Sequence, residues 1–250
     1  MSKKYLPDGM RVRWLGHATV DVLGPGGQKF IVDPYIVNNP AFPKALGAEV
    51  TASGAYHAIL VTHPHSDHFE DVLPLLLDDP ELKVVTQFEI GQWLTEHKVK
   101  QSQVVGMNTG GTLNVHNMRI TMVPAVHTSS IVEEDGQRRV LGFPIGYVVR
   151  FENGFTIYFA GDTAVTMEMQ IIRNLYKPNL AILPIGDFYT MGAEQAAYAL
   201  KLLEPDYAIG IHWGTWNGMP PGTPEALEKE LAHYKLKTHL IKLKPGESLT

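Results

Sequence analysis

The chain has 250 residues, 44% hydrophobic and 19% charged, with no cysteine and a formal net charge of -5. A soluble globular protein of this size buries its core without staples, and the missing cysteines exclude disulfides and every cysteine-ligated zinc, haem or iron-sulfur site. The acidic balance makes a nucleic-acid partner unexpected, and neither a signal-peptide pattern in MSKKYLPDGMRVRW nor a run near the roughly 18 apolar residues of a membrane span is present, so a cytoplasmic chain with no membrane partner is expected.

In chain order, apolar alternation predicts strands over residues 12–23 and 29–32 around the turn Gly24-Pro25-Gly26-Gly27. The Pro- and Gly-containing segment 34–56 has little period, and a segment of that length is expected to be functional, with Tyr35 and Phe42 as substrate contacts on a pocket rim. A buried strand over 58–62 leads into a histidine cluster and a helix over 71–77, whose Leu73, Leu75, Leu76 and Leu77 read as core. Further strands fall at 84–86, 104–107, 113–115 and 118–123, with a helix over 88–97 and a turn at Gly110-Gly111. Strands 146–151 and 155–160 flank Asn153-Gly154, a strong hairpin signal. Helices at 167–175, 193–203 and 224–234 then alternate with strands at 180–183, 207–211 and 239–243. No linker, repeat or low-complexity tract interrupts residues 1–250, which read as a single α/β domain of layered sheets and outer helices.

Eleven histidines are many for this length, and His63, His65 and His68 fall within six residues. The segment H-x-H-x-D-H arises by chance in about one shuffle per thousand of this composition. Pro64 biases His63 toward extended backbone, so His63 and His65 can point to one side with period two. Asp67 and His68 then lie at the turn into a helix and can face a second point, which suits two metals with separate ligands. Three distant apolar runs end in the same kind of residue: MRITMVPAVHTSS in His127, FTIYFAGDT in Asp162 and YAIGIHWGT in His212. Strand ends of layered α/β sheets gather along one edge, where ligands bind.

This order of motifs resembles the metallo-β-lactamase superfamily. Leu15-Gly16-His17-Ala18, Asp33-Pro34 and Gly186-Asp187-Phe188-Tyr189-Thr190-Met191-Gly192 resemble more narrowly its UlaG-like metal-dependent hydrolases. The resemblance covers essentially the whole chain and implies a four-layer αββα sandwich with the site at one edge of the two sheets. It also implies one metal on His63, His65 and His127, a second on Asp67, His68 and His212, and Asp162 between them. The residue pattern alone requires the same seven residues and leaves their division open. Without cysteine the chain cannot use the zinc-binding cysteine of the best-known lactamases, and His68 stands where di-iron relatives place a carboxylate.

Asp33 closes a strand and is expected to accept a proton from a ligand imidazole or from a backbone N–H of the metal loop. His17 is a candidate proton donor or substrate contact, and Asp187, Tyr189 and Thr190 are expected on the pocket rim. His57, His97, His116, His233 and His239 read as ordinary surface or core histidines, and Arg138-Arg139, beside Glu133, Glu134 and Asp135, as a solvated loop. Imidazoles with two carboxylates suit two zinc ions, with manganese or iron also compatible. A water shared by two dications ionises near pH 7. The expected reaction is therefore attack by a bridging hydroxide on a small-molecule ester, lactone or phosphoester, with Asp67 orienting the nucleophile or passing on its proton. A phosphodiesterase or nuclease of the same superfamily, or a non-catalytic metal-sensing domain, is the alternative, and oligomeric state is not legible.

Overall fold

The computed structural model describes residues 4–133, 135–216 and 222–250, so Glu134 lies outside the described residues. The first sheet lays β1 (Arg11–Trp14), β2 (Val20–Leu23), β3 (Lys29–Val32), β4 (Ala58–Leu60), β5 (Lys83–Gln87) and β6 (Val104–Met107) side by side in that order. The β1–β3 meander is antiparallel, and β3 to β6 are parallel. The chain continues through β7 (Thr112–Val115) and β8 (Met118–Pro124), and then a separate ribbon of β9 (Ser130–Val132) and β10 (Arg138–Val140). After the ribbon come β11 (Ile145–Phe151), β12 (Thr156–Phe159), β13 (Leu180–Pro184), β14 (Tyr207–Ile211) and β15 (His239–Ile241), which join β7 and β8 in the second sheet. The terminal strand β16 (Ser248–Leu249) returns to the first sheet beside β1.

Strand periodicity explains how these sheets stack. Phe30 and Val32 of β3 and Ala58 and Leu60 of β4 join Leu180 and Ile182 of β13 in a core between the sheets. The alternate residues face outward: Ile31 and Ile59 meet helices α3 (Val72–Asp78) and α4 (Phe88–Glu96). On the other side, Ala181 and Leu183 meet α5 (Glu168–Tyr176), α6 (Ala193–Leu203) and α7 (Pro224–His233). Central parallel strands buried on both faces need such cover, and each fully buried Val, Leu, Ile or Phe side chain contributes about 1.5–3 kcal/mol. The result is the expected αββα order. Two short helices, α1 (Gly47–Val50) and α2 (Ser66–Phe69), complete the described elements.

The structure departs from the sequence reading at several points. Residues 12–23 are not one strand, because the chain turns through Gly16 (φ 97°) and His17 (φ 51°), with Leu15 N donating to Thr19 O at 2.9 Å. A Cβ on Gly16 would lie 2.8 Å from Ala41 O, so a side chain there has no room. Segment 34–56 carries a 3-10 turn at Lys44–Leu46 as well as α1, and Phe42 is packed with Leu15 and Ile31 rather than offered to substrate. Arg138 and Arg139 form a strand, with Arg138 opposite Val132. In α3 the inward positions are Val72 and Leu76, one turn apart, which leaves Leu77 53% exposed.

Within the first sheet β1, β3 and β4 run parallel to one another, and within the second so do β8, β12, β13 and β14, as their pairing directions require. Every candidate ligand identified from the sequence follows one of these strand ends.

Candidate metal centre

His63 and His65 follow β4, and Asp67 and His68 belong to α2, whose entry is set by His65 in extended backbone (φ −62°, ψ 146°). His127 follows β8, Asp162 follows β12 and His212 follows β14, while His17 sits in the β1–β2 turn and Asp33 just after β3. Three of these residues are left-handed: His17 (φ 51°), Asp33 (φ 46°) and His212 (φ 60°). Each such non-glycine conformation costs about 1–3 kcal/mol, so it persists only where the surroundings enforce it. Here His212 N donates to His17 O at 2.9 Å, fastening a loop of one sheet to a loop of the other. Trp14 Nε1 donates to the same carbonyl at 2.9 Å. Val126 N donates to Thr163 Oγ1 at 3.0 Å and Ala164 N to Val126 O at 3.0 Å, which holds His127 next to Asp162. Gly161 (φ 62°) permits that turn, since a Cβ there would lie 2.6 Å from Ile145 O.

The donor atoms of His63, His65 and His127 lie within 4.8 Å of one another, as do those of His17, Asp67, His68 and His212. His63 Nε2 is 3.0 Å from His65 Nδ1. Asp162 Oδ2 lies between the two groups, 3.6 Å from His127 Nε2, 3.3 Å from His68 Nε2 and 3.2 Å from His212 Nε2. Asp67 Oδ2 is 3.6 Å from His212 Nε2 and 3.8 Å from His68 Nε2. Neighbouring ligands on a tetrahedral zinc at 2.0–2.1 Å stand about 3.3 Å apart, and these spacings bracket that value. His68 Nε2 and His212 Nε2 are buried without a hydrogen-bond partner. Such positions are costly in a dry interior unless a cation sits there, either a proton on each nitrogen facing Asp162 or a metal ion in its place. The donor set, its spacing and the two orphans therefore fit one or more divalent ions.

Behind the donors stands a second row. Asp33 Oδ2 accepts from His68 Nδ1 at 2.9 Å and from Thr62 Oγ1 at 2.6 Å, and Asp33 Oδ1 accepts from Thr62 N at 2.8 Å. Thr62 Oγ1 in turn accepts from His63 Nδ1 at 3.0 Å, so one carboxylate orients an imidazole of each group. His17 ties the two sheets' loops together at the Asp67 carboxylate: its Nε2 donates to Asp67 Oδ2 at 2.8 Å and its Nδ1 accepts from Thr215 Oγ1 at 2.8 Å.

Charge divides the site unevenly. Burial, reinforced by neighbouring imidazoles, lowers the pKa of His63, His65 and His127. Burial also opposes charge on His68 and His212, yet the Asp162 carboxylate outweighs it, raising His68 well above its usual value and His212 to about 9. Asp162 and Asp67 are held below the carboxylate range, against burial, by the facing imidazoles. Burial lowers His17 to about 4, so it is neutral at pH 7.

A cleft of about 370 Å³ opens over these donors, with Tyr35, Tyr189 and Trp216 among its walls. Asp187 and Thr190, expected on the same rim, are not among its lining residues: Asp187 is turned into its own loop, Oδ1 accepting from Phe188 N at 2.8 Å. Sequence reasoning did not single out Thr62, Thr215 or Trp216, nor Thr128, whose Oγ1 lies 3.3 Å from His65 Nε2 at the cleft. Thr62 was detectable as the residue joining strand and cluster, whereas Thr215 and Trp216 carry no local pattern. His57 and His116 stack on each other, His97 on Trp93 and His239 on Tyr5, all away from the cleft.

Residues 29–213 match the profile of the beta-lactamase superfamily domain. A UPF0173 metal-dependent hydrolase of Roseiflexus sp. (strain RS-1) is 44% identical over 239 residues, covering 96% of each chain. Another, from Methanopyrus kandleri, is 40% identical over 241 residues, covering 96% of this chain and 99% of its own. Among solved structures, Igni18, a metallo hydrolase from the archaeon Ignicoccus hospitalis, superposes with a TM-score of 0.80 at 28% identity, covering 96% of this chain and 97% of that one.

Proposed function

The chain belongs to the metal-dependent hydrolases of the beta-lactamase superfamily, and from that premise we propose that it is a binuclear enzyme cleaving an ester, lactone or phosphoester bond of a small molecule. In this reading His63, His65 and His127 would hold one ion, Asp67, His68 and His212 the other, and Asp162 would be shared between them. Zinc suits the imidazole-rich set, and manganese or iron also suits the carboxylate-containing one. Such a pair supplies Lewis acidity and a water that ionises near neutral pH.

The protein's own groups orient and enclose this chemistry. Asp33 fixes the ring planes of His68 directly and of His63 through Thr62. Asp67 Oδ2, 24% exposed at its side chain, faces the cleft and takes a hydrogen bond from His17. His17 keeps its proton on Nε2 because Thr215 donates to Nδ1, so Asp67 stays ionised and remains a hydrogen-bond acceptor able to align a nucleophile. Tyr35, Tyr189 and Trp216 present rings around the cleft that pack against substrate and displace water.

The observation that carries the reading is the convergence of His68 Nε2 and His212 Nε2 on Asp162, with no other hydrogen-bond partner, beside the three donor imidazoles of His63, His65 and His127. The test is a panel of chromogenic lactones, esters and phosphodiesters assayed on metal-loaded protein, before and after chelation, with metal content measured in parallel. Turnover that chelation abolishes supports the proposal. A metal-loaded protein inert toward every bond class would favour a sensing role, and full activity after chelation would refute the metal mechanism.

A further inference from the structure

A second hollow, of about 620 Å³, adjoins the cleft and shares His65, Ser66 and Asp67 with it. Its floor is Phe69 and Leu73 with Trp93, and its far wall is the β9–β10 ribbon. The floor is rigid: the Phe69 and Trp93 rings meet edge to face at 5.5 Å, Trp93 stacks on His97 at 3.7 Å, and Trp93 Nε1 donates to Glu133 Oε1 at 2.9 Å. On the ribbon, Val132 and Arg138 are directly opposed and both line the hollow. Cross-strand partners project to one face, so an apolar surface ends there at a guanidinium.

The two adjacent arginines differ. Arg139 is paired with Glu96 and Glu133, whereas Arg138 has no acidic partner among the described residues. The acidic side chains of the hollow are committed elsewhere, Asp67 to His17 and Glu70 to Asn38. A polyol would find few donors and acceptors along this floor. An aliphatic chain or aromatic ring would find cover, and both volumes fall within the usual range for small-molecule pockets.

We propose that this hollow is the substrate's second subsite, taking an apolar aliphatic or aromatic arm that runs from the scissile bond over Phe69, Leu73 and Trp93 and ends in an anionic group at Arg138. The inference rests on the hydrolytic reading of the cleft and adds the class of substrate to it: an amphiphile with a hydrolysable head and a charged tail.

The test is calorimetric binding of acetate, decanoate and decanedioate to the metal-loaded protein, since a carboxylate at the ions leaves the chain to occupy the hollow. Decanoate should bind more tightly than acetate, and decanedioate more tightly again. Arg138→Gln should weaken decanedioate by about 5- to 10-fold and leave decanoate unchanged, as expected for one charge-assisted contact partly open to water. Val132→Asp should weaken both long ligands and spare acetate. Both positions are exposed, so neither substitution threatens folding. Equal affinities for the three ligands, with metal bound and generic substrates still turned over, would overturn the subsite and leave the hydrolytic reading standing. Chain-length dependence in a metal-loaded protein that cleaves nothing would support the subsite and count against that reading.

Discussion

The two groups of donors that share Asp162 are built from the same residue type and behave in opposite ways. His63, His65 and His127 hold lowered pKa values, through burial and one another. His68 and His212 face Asp162 and Asp67 and are held protonated, although burial opposes it. The first group is thus ready at neutral pH to accept an ion as it stands. The second holds protons on His68 and His212 that any ion bound there would have to displace. On the proposed binuclear reading, placing the carboxylates on one side would set the order of loading as well as the ligand geometry.

The largest effect that breaks this comparison is loss of the ready group. His63→Ala or His65→Ala should empty it and lower turnover by on the order of a thousandfold or more, because Lewis acidity and the ionised water are lost together. Elemental analysis alongside kinetics would check this, and a variant that kept both ions would count against the assignment. His17→Ala should lower turnover by about 10- to 1,000-fold with metal content unchanged, since both ring nitrogens of His17 are committed to Thr215 and Asp67. Metal loss as complete as in His63→Ala would make His17 a ligand. Asp33→Asn should weaken metal affinity by about 10- to 100-fold at both groups, because Asp33 reaches one directly and the other through Thr62. A competitive chelator titration that found only one group weakened would sever that link.

The smallest effect sharpens the comparison through pH. His212 has a pKa near 9 in the metal-free fold against 6.5 unfolded, so its contribution to stability is complete below 6.5 and is lost as pH rises through about 9. Chelated His212→Asn should lack that part of the pH dependence. Thermal unfolding of the two chelated proteins between pH 6 and 10 would show it, and parallel curves would contradict it.

The sequence revealed the donors because each lies where a local rule operates. A strand of period two followed by His-Pro-His, and apolar runs ending in His127, Asp162 and His212, are patterns of neighbouring residues. The layers were legible for the same reason: Phe30 and Val32 alternate with Ile31, and the parallel strands require helices on their outer faces. What escaped depends on distant backbone. The β9–β10 ribbon is held by main-chain pairing that the charged residues 133–139 disguise as solvated loop. The break at Gly16 answers to Ala41 O, 25 positions away in sequence, and the two nitrogens of His17 find partners 50 and 198 positions away. Phe42 looked like a rim residue because its segment has no period, yet burial against Leu15 and Ile31 uses it as core.

The most direct measurement is a zinc titration of the chelated protein at pH 7, followed by calorimetry in two buffers of different ionisation enthalpy, with elemental analysis at the end. The account predicts two ions per chain, the first bound with little proton release and the second with release from His68 and His212. A single ion that added zinc or manganese cannot raise to two, or equal proton release at both steps, would contradict it.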